Sequence, residues 1–255
     1  MIGTEVPVPG GAAEALDHVE VTATASARRT IEVHEEAFAT AGLSAAWARV
    51  IALVVQPGVE FDHTRVVDYR PAAAESLSSV LDDTTNLVFE AHSTDYQRPD
   101  SLAALVRDGF AILKVGPGLT FALREALYAL AAVEADLVDE AKQSHLREVV
   151  ERVMLSRPAS WQRYYHGDRR QQRLLRVFSY SDRIRYYWPD PAIEAAARKL
   201  FDNLASISIP ENVLSQYLPQ QYLAVREGRL SLDPKALALD RVRDAIRPYA
   251  AACHE

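Results

Sequence analysis

Four short apolar runs, each closing on or near polar side chains, are spaced along the first half of the chain: Ile2–Val6, Val50–Gln56, Leu87–His92 and Phe110–Gly116. Stretches of helical period, rich in alanine, lie between them. A continuous apolar run a few residues long, bounded by turn formers, is how a strand buried on both faces reads. Its alternation with helices predicts βα units on a parallel sheet. In a closed (β/α)8 barrel the strand C-termini and the loops after them carry the chemistry. Four runs are half of that number. The expectation is therefore an α/β chain holding four βα units of a TIM (β/α)8-type barrel, with the first half of the barrel absent.

Turn and cap residues divide the rest. Val6-Pro7-Val8-Pro9-Gly10-Gly11 and Gln56-Pro57-Gly58-Val59-Glu60-Phe61 read as irregular loops over the barrel mouth, because proline and glycine break regular structure. Helices are predicted over 27–41, stopping at Gly42, from Pro71 to about Leu81, from the cap pair Asp100-Ser101 to about Asp108, and from about Phe121 to Ala141. Beyond residue 145 no strand-like run follows. Amphipathic helical segments are instead punctuated by Ser181-Asp182, of cap type for the segment through Tyr187, by Asp190-Pro191, a cap followed by a first-turn proline, and by Pro210, Pro219 and Asp233-Pro234. The expected domains are a half-barrel over 1–144 and a helical extension over 145–255 packed on it.

Composition narrows the class. The chain has 255 residues, 49% hydrophobic and 25% charged, as in an ordinary soluble protein. No apolar run approaches the ~20 residues of a membrane span, and no basic segment precedes an apolar core at the N-terminus. The lone cysteine, Cys253, cannot form an intrachain disulfide. A cytoplasmic location and no membrane partner are the expectation. A net charge of −7 argues against a nucleic-acid partner. The local basic stretch Arg169-Arg170-Gln171-Gln172-Arg173 reads as a solvated helix face.

Candidate chemistry gathers where the runs end. Glu90 and His92, two apart on a strand, share one side and suit an acid–base pair or part of a metal site. A zinc site wants three or four ligands, however, and the strand ends supply one histidine. Lys114 suits a Schiff base or the neutralisation of a phosphate, or else an ion pair with Glu90. Glu5, Gln56, Glu60 and Asp95 are further candidate ligand-binding residues at the same mouth. Gly116-Pro117-Gly118-Leu119-Thr120 lies between a strand and a helix start. It is either a phosphate cradle, with Gly116, Gly118 and Thr120 in contact, or a tight βα turn. In the helical extension Arg183 and Arg185, among many aromatics, suit a sugar phosphate.

Taken in order, these segments resemble a known family. Ile2-Gly3-Thr4-Glu5-Val6-Pro7-Val8-Pro9-Gly10-Gly11, Val54-Val55-Gln56-Pro57-Gly58-Val59-Glu60-Phe61, Phe89-Glu90-Ala91-His92-Ser93-Thr94-Asp95-Tyr96-Gln97, Ala111-Ile112-Leu113-Lys114-Val115-Gly116-Pro117, Ser181-Asp182-Arg183-Ile184-Arg185-Tyr186-Tyr187-Trp188-Pro189 and Leu214-Ser215-Gln216-Tyr217-Leu218-Pro219 are similar to the non-catalytic subunit family of class II D-tagatose-1,6-bisphosphate aldolase, also labelled tagatose-6-phosphate kinase. The resemblance implies a TIM barrel of galactitol or N-acetylgalactosamine catabolism that stabilises a separate catalytic subunit. That partner would carry the zinc, and this chain would hold no cofactor of its own. It also implies that four strands precede the Ile2–Gly11 segment in relatives, so that this chain corresponds to their C-terminal portion. No Walker-type glycine loop supports a kinase. The alternative is a sugar-phosphate-binding TIM-barrel enzyme, an aldolase or lyase in its own right, using Glu90, His92 and Lys114. On either reading Ile51, Leu53, Val88 and Ile112 are expected to face the barrel interior, with the two strand edges open.

Overall fold

The computed structural model of the chain describes residues 1–4, 11–12, 19–84 and 86–254. It divides into two compact units, Met1–Gly116 with Arg247–Glu255, and Pro117–Ile246. The division falls earlier than the 144/145 boundary read from the sequence.

In the first unit, helices α1 (Thr24–Thr40) and α2 (Ser44–Trp47) lead into strand β1 (Ala52–Val55). A small antiparallel hairpin of β2 (Glu60–Phe61) and β3 (Val66–Val67) follows. Then come α3 (Pro71–Ser78), β4 (Val88–Ala91), α4 (Pro99–Arg107) and β5 (Ile112–Leu113). Strands β1, β4 and β5 form a parallel sheet in that order, and Ile2 adds a single parallel bridge to Leu53. Three of the four apolar runs are thus strands of one open sheet, and the first joins it at one residue. The fold is α/β, mostly helical, with a parallel sheet that does not close. The β2–β3 hairpin escaped the sequence reading because two-residue strands carry no period.

Register decides which face each side chain meets. Leu53 aligns with Phe89, Val55 with Ala91 and Leu113, and Val54 with Glu90 and Ile112. Leu53, Val55, Phe89 and Ala91 pack with Ala27, Ala74, Leu77, Leu102 and Leu105 of the flanking helices. Val54, Glu90, Ile112 and, by parity, Lys114 belong to the opposite face. Leu53 therefore lies on the helix side, contrary to the sequence expectation. Its neighbour Ile51 precedes the strand and is 59% exposed.

Helix ends follow local chemistry. After α1, Gly42 takes φ +70°, its N–H reaches the Ala39 carbonyl, and Leu43 N–H reaches the Phe38 carbonyl. This left-handed closure satisfies the orphan carbonyls of the last turn. The same pattern ends α4 at Gly109 (φ +96°) and places Phe110 in the core, two residues before β5 begins.

The second unit is helical: α5 (Pro117–Leu137), α6 (Leu146–Ser156), α7 (Arg169–Phe178), α8 (Pro191–Ala205), α9 (Glu211–Tyr217), α10 (Pro219–Arg226) and most of α11 (Pro234–Ala252). Leu130, Leu146, Met154, Tyr165, Ile184 and Leu200 lie in its core. Helix α5 begins four residues before the expected Phe121, because Pro117 sits at its first position with φ already set for a helix. Asp190 caps α8 as predicted, accepting from Ala192 N–H at 2.9 Å. Asp182 does not cap. Its backbone is left-handed (φ 43°), and its buried carboxylate accepts from Thr120 Oγ1 at 2.5 Å and from Arg124 Nε at 2.9 Å. Among the described residues no helix is long and apolar enough to cross a membrane.

Candidate functional site

The polar groups at the C-terminal ends of β4 and β5 meet in the first unit. Glu90 is carried into a buried position by β4, where its side chain is 2% exposed. Its Oε1 lies 2.8 Å from His92 Nε2 and 3.5 Å from Lys114 Nζ. Lys114 is 53% exposed, so its ammonium reaches water while leaning on the carboxylate. One oxygen of Glu90 thus meets two cationic or donor groups. The other, Oε2, is buried without a hydrogen-bond partner among the described residues. A buried carboxylate oxygen without a donor is costly, and the cation and the ring nitrogen on Oε1 are what offset it here. A cavity of about 700 Å³ opens here, lined by Glu90, His92, Val54, His34, Arg49 and Phe38 among others.

The loop from β4 to α4 frames this cluster and is held under strain. Ser93 and Tyr96 adopt φ of 53° and 64°, a region that costs a residue with a Cβ about 1–3 kcal/mol. Ties to its neighbours offset that cost. Thr94 donates from N–H (3.2 Å) and Oγ1 (2.8 Å) to the Lys114 carbonyl. Asp95 Oδ1 accepts from Gly116 N–H at 2.8 Å. Gln97 bridges Tyr69 N–H and the Val67 carbonyl, each at 2.9 Å. The Tyr96 ring meets Phe61 edge-on at 5.2 Å between centroids.

Glu60 joins the same group. It is buried, accepts from Phe61 N–H at 3.0 Å and hydrogen-bonds Ser93. Burial pushes its carboxyl above the usual range, more than those hydrogen bonds and nearby His92 pull it down. The folded state then holds the proton at pH values where the unfolded chain, with a carboxyl near 4.5, has lost it. Stability should fall as pH rises from that unfolded value through the folded one, and be level above. Glu60→Gln is expected to remove that slope in urea titrations at stepped pH. An unchanged slope would assign it to other groups.

The remaining predicted residues are placed as follows. Gln56 braces its own loop, its Oε1 accepting from Gly58 and Val59 N–H at 2.9 Å each. Gly116 closes on Asp95, whereas Gly118 and Thr120 lie in the first turn of α5. Thr120 Oγ1 is also 3.2 Å from the Pro117 carbonyl. In the second unit the Arg183 guanidinium stacks 3.4 Å from the Tyr164 ring centre and donates to the Ser160 carbonyl. Arg185 donates to the Ser181 carbonyl and to Tyr186 Oη. Glu5 lies outside the described residues. Among those described, no group of three or more His, Cys, Asp or Glu stands close enough to share a metal ion. The sequence reading missed the Glu60–Ser93 contact and the Thr94–Lys114 tie, since loop geometry leaves no periodic trace.

The family described as D-tagatose-1,6-bisphosphate aldolase subunit GatZ/KbaZ-like matches residues 1–254. The crystal structure of a probable tagatose 6 phosphate kinase from Sinorhizobium meliloti 1021 superposes with a TM-score of 0.90 at 50% sequence identity. The match covers 98% of this chain and 62% of that one, so the chain spans about three-fifths of that protein's length. A family match over essentially every residue, supported by a solved fold at this identity, leads to one assignment: the chain belongs to the D-tagatose-1,6-bisphosphate aldolase subunit GatZ/KbaZ-like family.

Proposed function

We propose that the chain acts as a non-catalytic, stabilising part of a class II tagatose-1,6-bisphosphate aldolase, in cytoplasmic galactitol or N-acetylgalactosamine catabolism. Family membership over residues 1–254 carries this reading. On it the partner is the catalytic subunit, and the zinc belongs to that partner. The parallel sheet, with helices on one face and polar groups at the strand ends, supports reading residues 1–144 as four βα units of a TIM-type barrel, the C-terminal portion of a longer relative. The half-exposed Lys114 ammonium, with Glu90 behind it as counter-charge, suits the anionic group of a sugar phosphate, which the chain would bind without turning over.

The test is co-expression with a candidate catalytic subunit, followed by co-purification and an aldol-cleavage assay on tagatose bisphosphate after timed heating. The partner's active half-life should lengthen severalfold when this chain is present. Unchanged activity and half-life would overturn the proposal. The convergence of Glu90, His92 and Lys114 favours a second reading, a sugar-phosphate lyase in its own right. Cleavage by the purified chain alone, lost in Lys114→Ala, would establish that reading instead.

A further inference from the structure

The ties on the strained β4–α4 loop described so far come from residues 60–116, and a further one comes from far along the chain. Tyr249, on the C-terminal part of α11, donates its hydroxyl to the Thr94 carbonyl at 2.6 Å and lies 3.5 Å from Thr94 Oγ1. The two residues are 155 positions apart. Ala252, one turn on and so on the same face of the helix, is buried in the first unit's core and anchors this segment. Burial holds the Tyr249 phenol well above its ordinary pKa, so it remains a donor across the working range of pH.

Thr94 is where this bond has leverage. Its N–H and Oγ1 both grip the Lys114 carbonyl, and its neighbour Asp95 grips Gly116. We infer that Tyr249 is a positioning residue for the Glu90–His92–Lys114 cluster: it clamps the Thr94 peptide, and through it the backbone from which Lys114 reaches Glu90. The C-terminal helix end is then a working part of the site, although its sequence carries no chemistry of the mouth. The inference rests on that cluster being the functional site. Its test needs neither partner nor ligand, so it fails independently of the proposed function.

The experiment compares Tyr249→Phe with the unaltered full chain by NMR, following the His92 ring resonances and amide exchange. Phenylalanine keeps the ring packing and removes only the donor. Exchange of the Thr94 and Gly116 amides should quicken about two- to thirteenfold, the range for loss of one net hydrogen bond. The His92 ring signals should move, while amides of β1 and β4 hold. Tyr69→Phe is the control, because it deletes an equivalent donor, to Asp108 Oδ2 at 2.8 Å, away from the cluster. It should leave the His92 signals in place. Unmoved His92 signals with unchanged Thr94 exchange in Tyr249→Phe would overturn the inference. So would an equal acceleration at every amide, or failure to fold, since either makes Tyr249 a general brace.

Discussion

Asp182→Ala is expected to cost the second unit about 3–5 kcal/mol, a large share of the ~5–15 kcal/mol that holds a domain folded. The carboxylate is fully buried and the Arg124 side chain is 3% exposed. Arg124 Nη2 already has no hydrogen-bond partner among the described residues. Removing Asp182 leaves a guanidinium in a dry site with the Phe121 ring, 4.0 Å away, as its nearest compensation. Thr120 Oγ1 loses its shorter bond as well. Urea unfolding measures the loss. Replacing both partners, Arg124→Met with Asp182→Leu, should recover most of it, because the penalty lies in stranding one charge. A single-variant loss under about 1 kcal/mol would show that water reaches the pair.

Purified without a partner, the chain is expected to self-associate as concentration rises. Among the described residues neither outer edge of the sheet, at Ile2 and at β5, is paired with a further strand. Unpaired N–H and C=O groups on a parallel sheet are a template for another chain. The face away from the helices adds apolar surface, with Val88 and Ile112 only half-buried. Covering each such side chain is worth up to ~1.5–3 kcal/mol. Sedimentation over a range of about 1–100 µM would reveal the association, and Ile112→Lys, a charge at the β5 edge, should weaken it. A monomer across that range with cooperative unfolding would sink the argument.

Much of this was legible beforehand, for physical reasons. Leu53–Val55 reads as a strand because burial on both faces leaves it wholly apolar, and Val88–Ala91 because its apolar run is broken only by Glu90. Asp190-Pro191 and Pro219 read as helix starts because proline's fixed φ and an aspartate cap act locally. Glu90, His92 and Lys114 were legible because strand parity and strand ends place them. Tyr249 was not, since its partner is set by the fold alone. The Asp182 carboxylate looked like a cap by type, but its left-handed backbone turns it toward Arg124 and Thr120 instead. Leu53 lies on the face opposite to the one expected, because an apolar run of a parallel strand shows no alternation from which to read parity.

The register that aligns Val54 with Glu90 and Ile112 also bears on how such a chain can vary over evolutionary time. Inserting or deleting one residue within β4 would exchange its two faces, sending the Glu90 carboxylate against Leu77 and Leu105 and turning Phe89 toward the cavity. Short of a bulge that absorbs the extra residue, length change inside these strands flips a face at once. The loops after them carry no such parity. Lineages can lengthen and shorten those loops while the odd and even positions of three short strands keep helix-facing grease and cavity-facing charge apart.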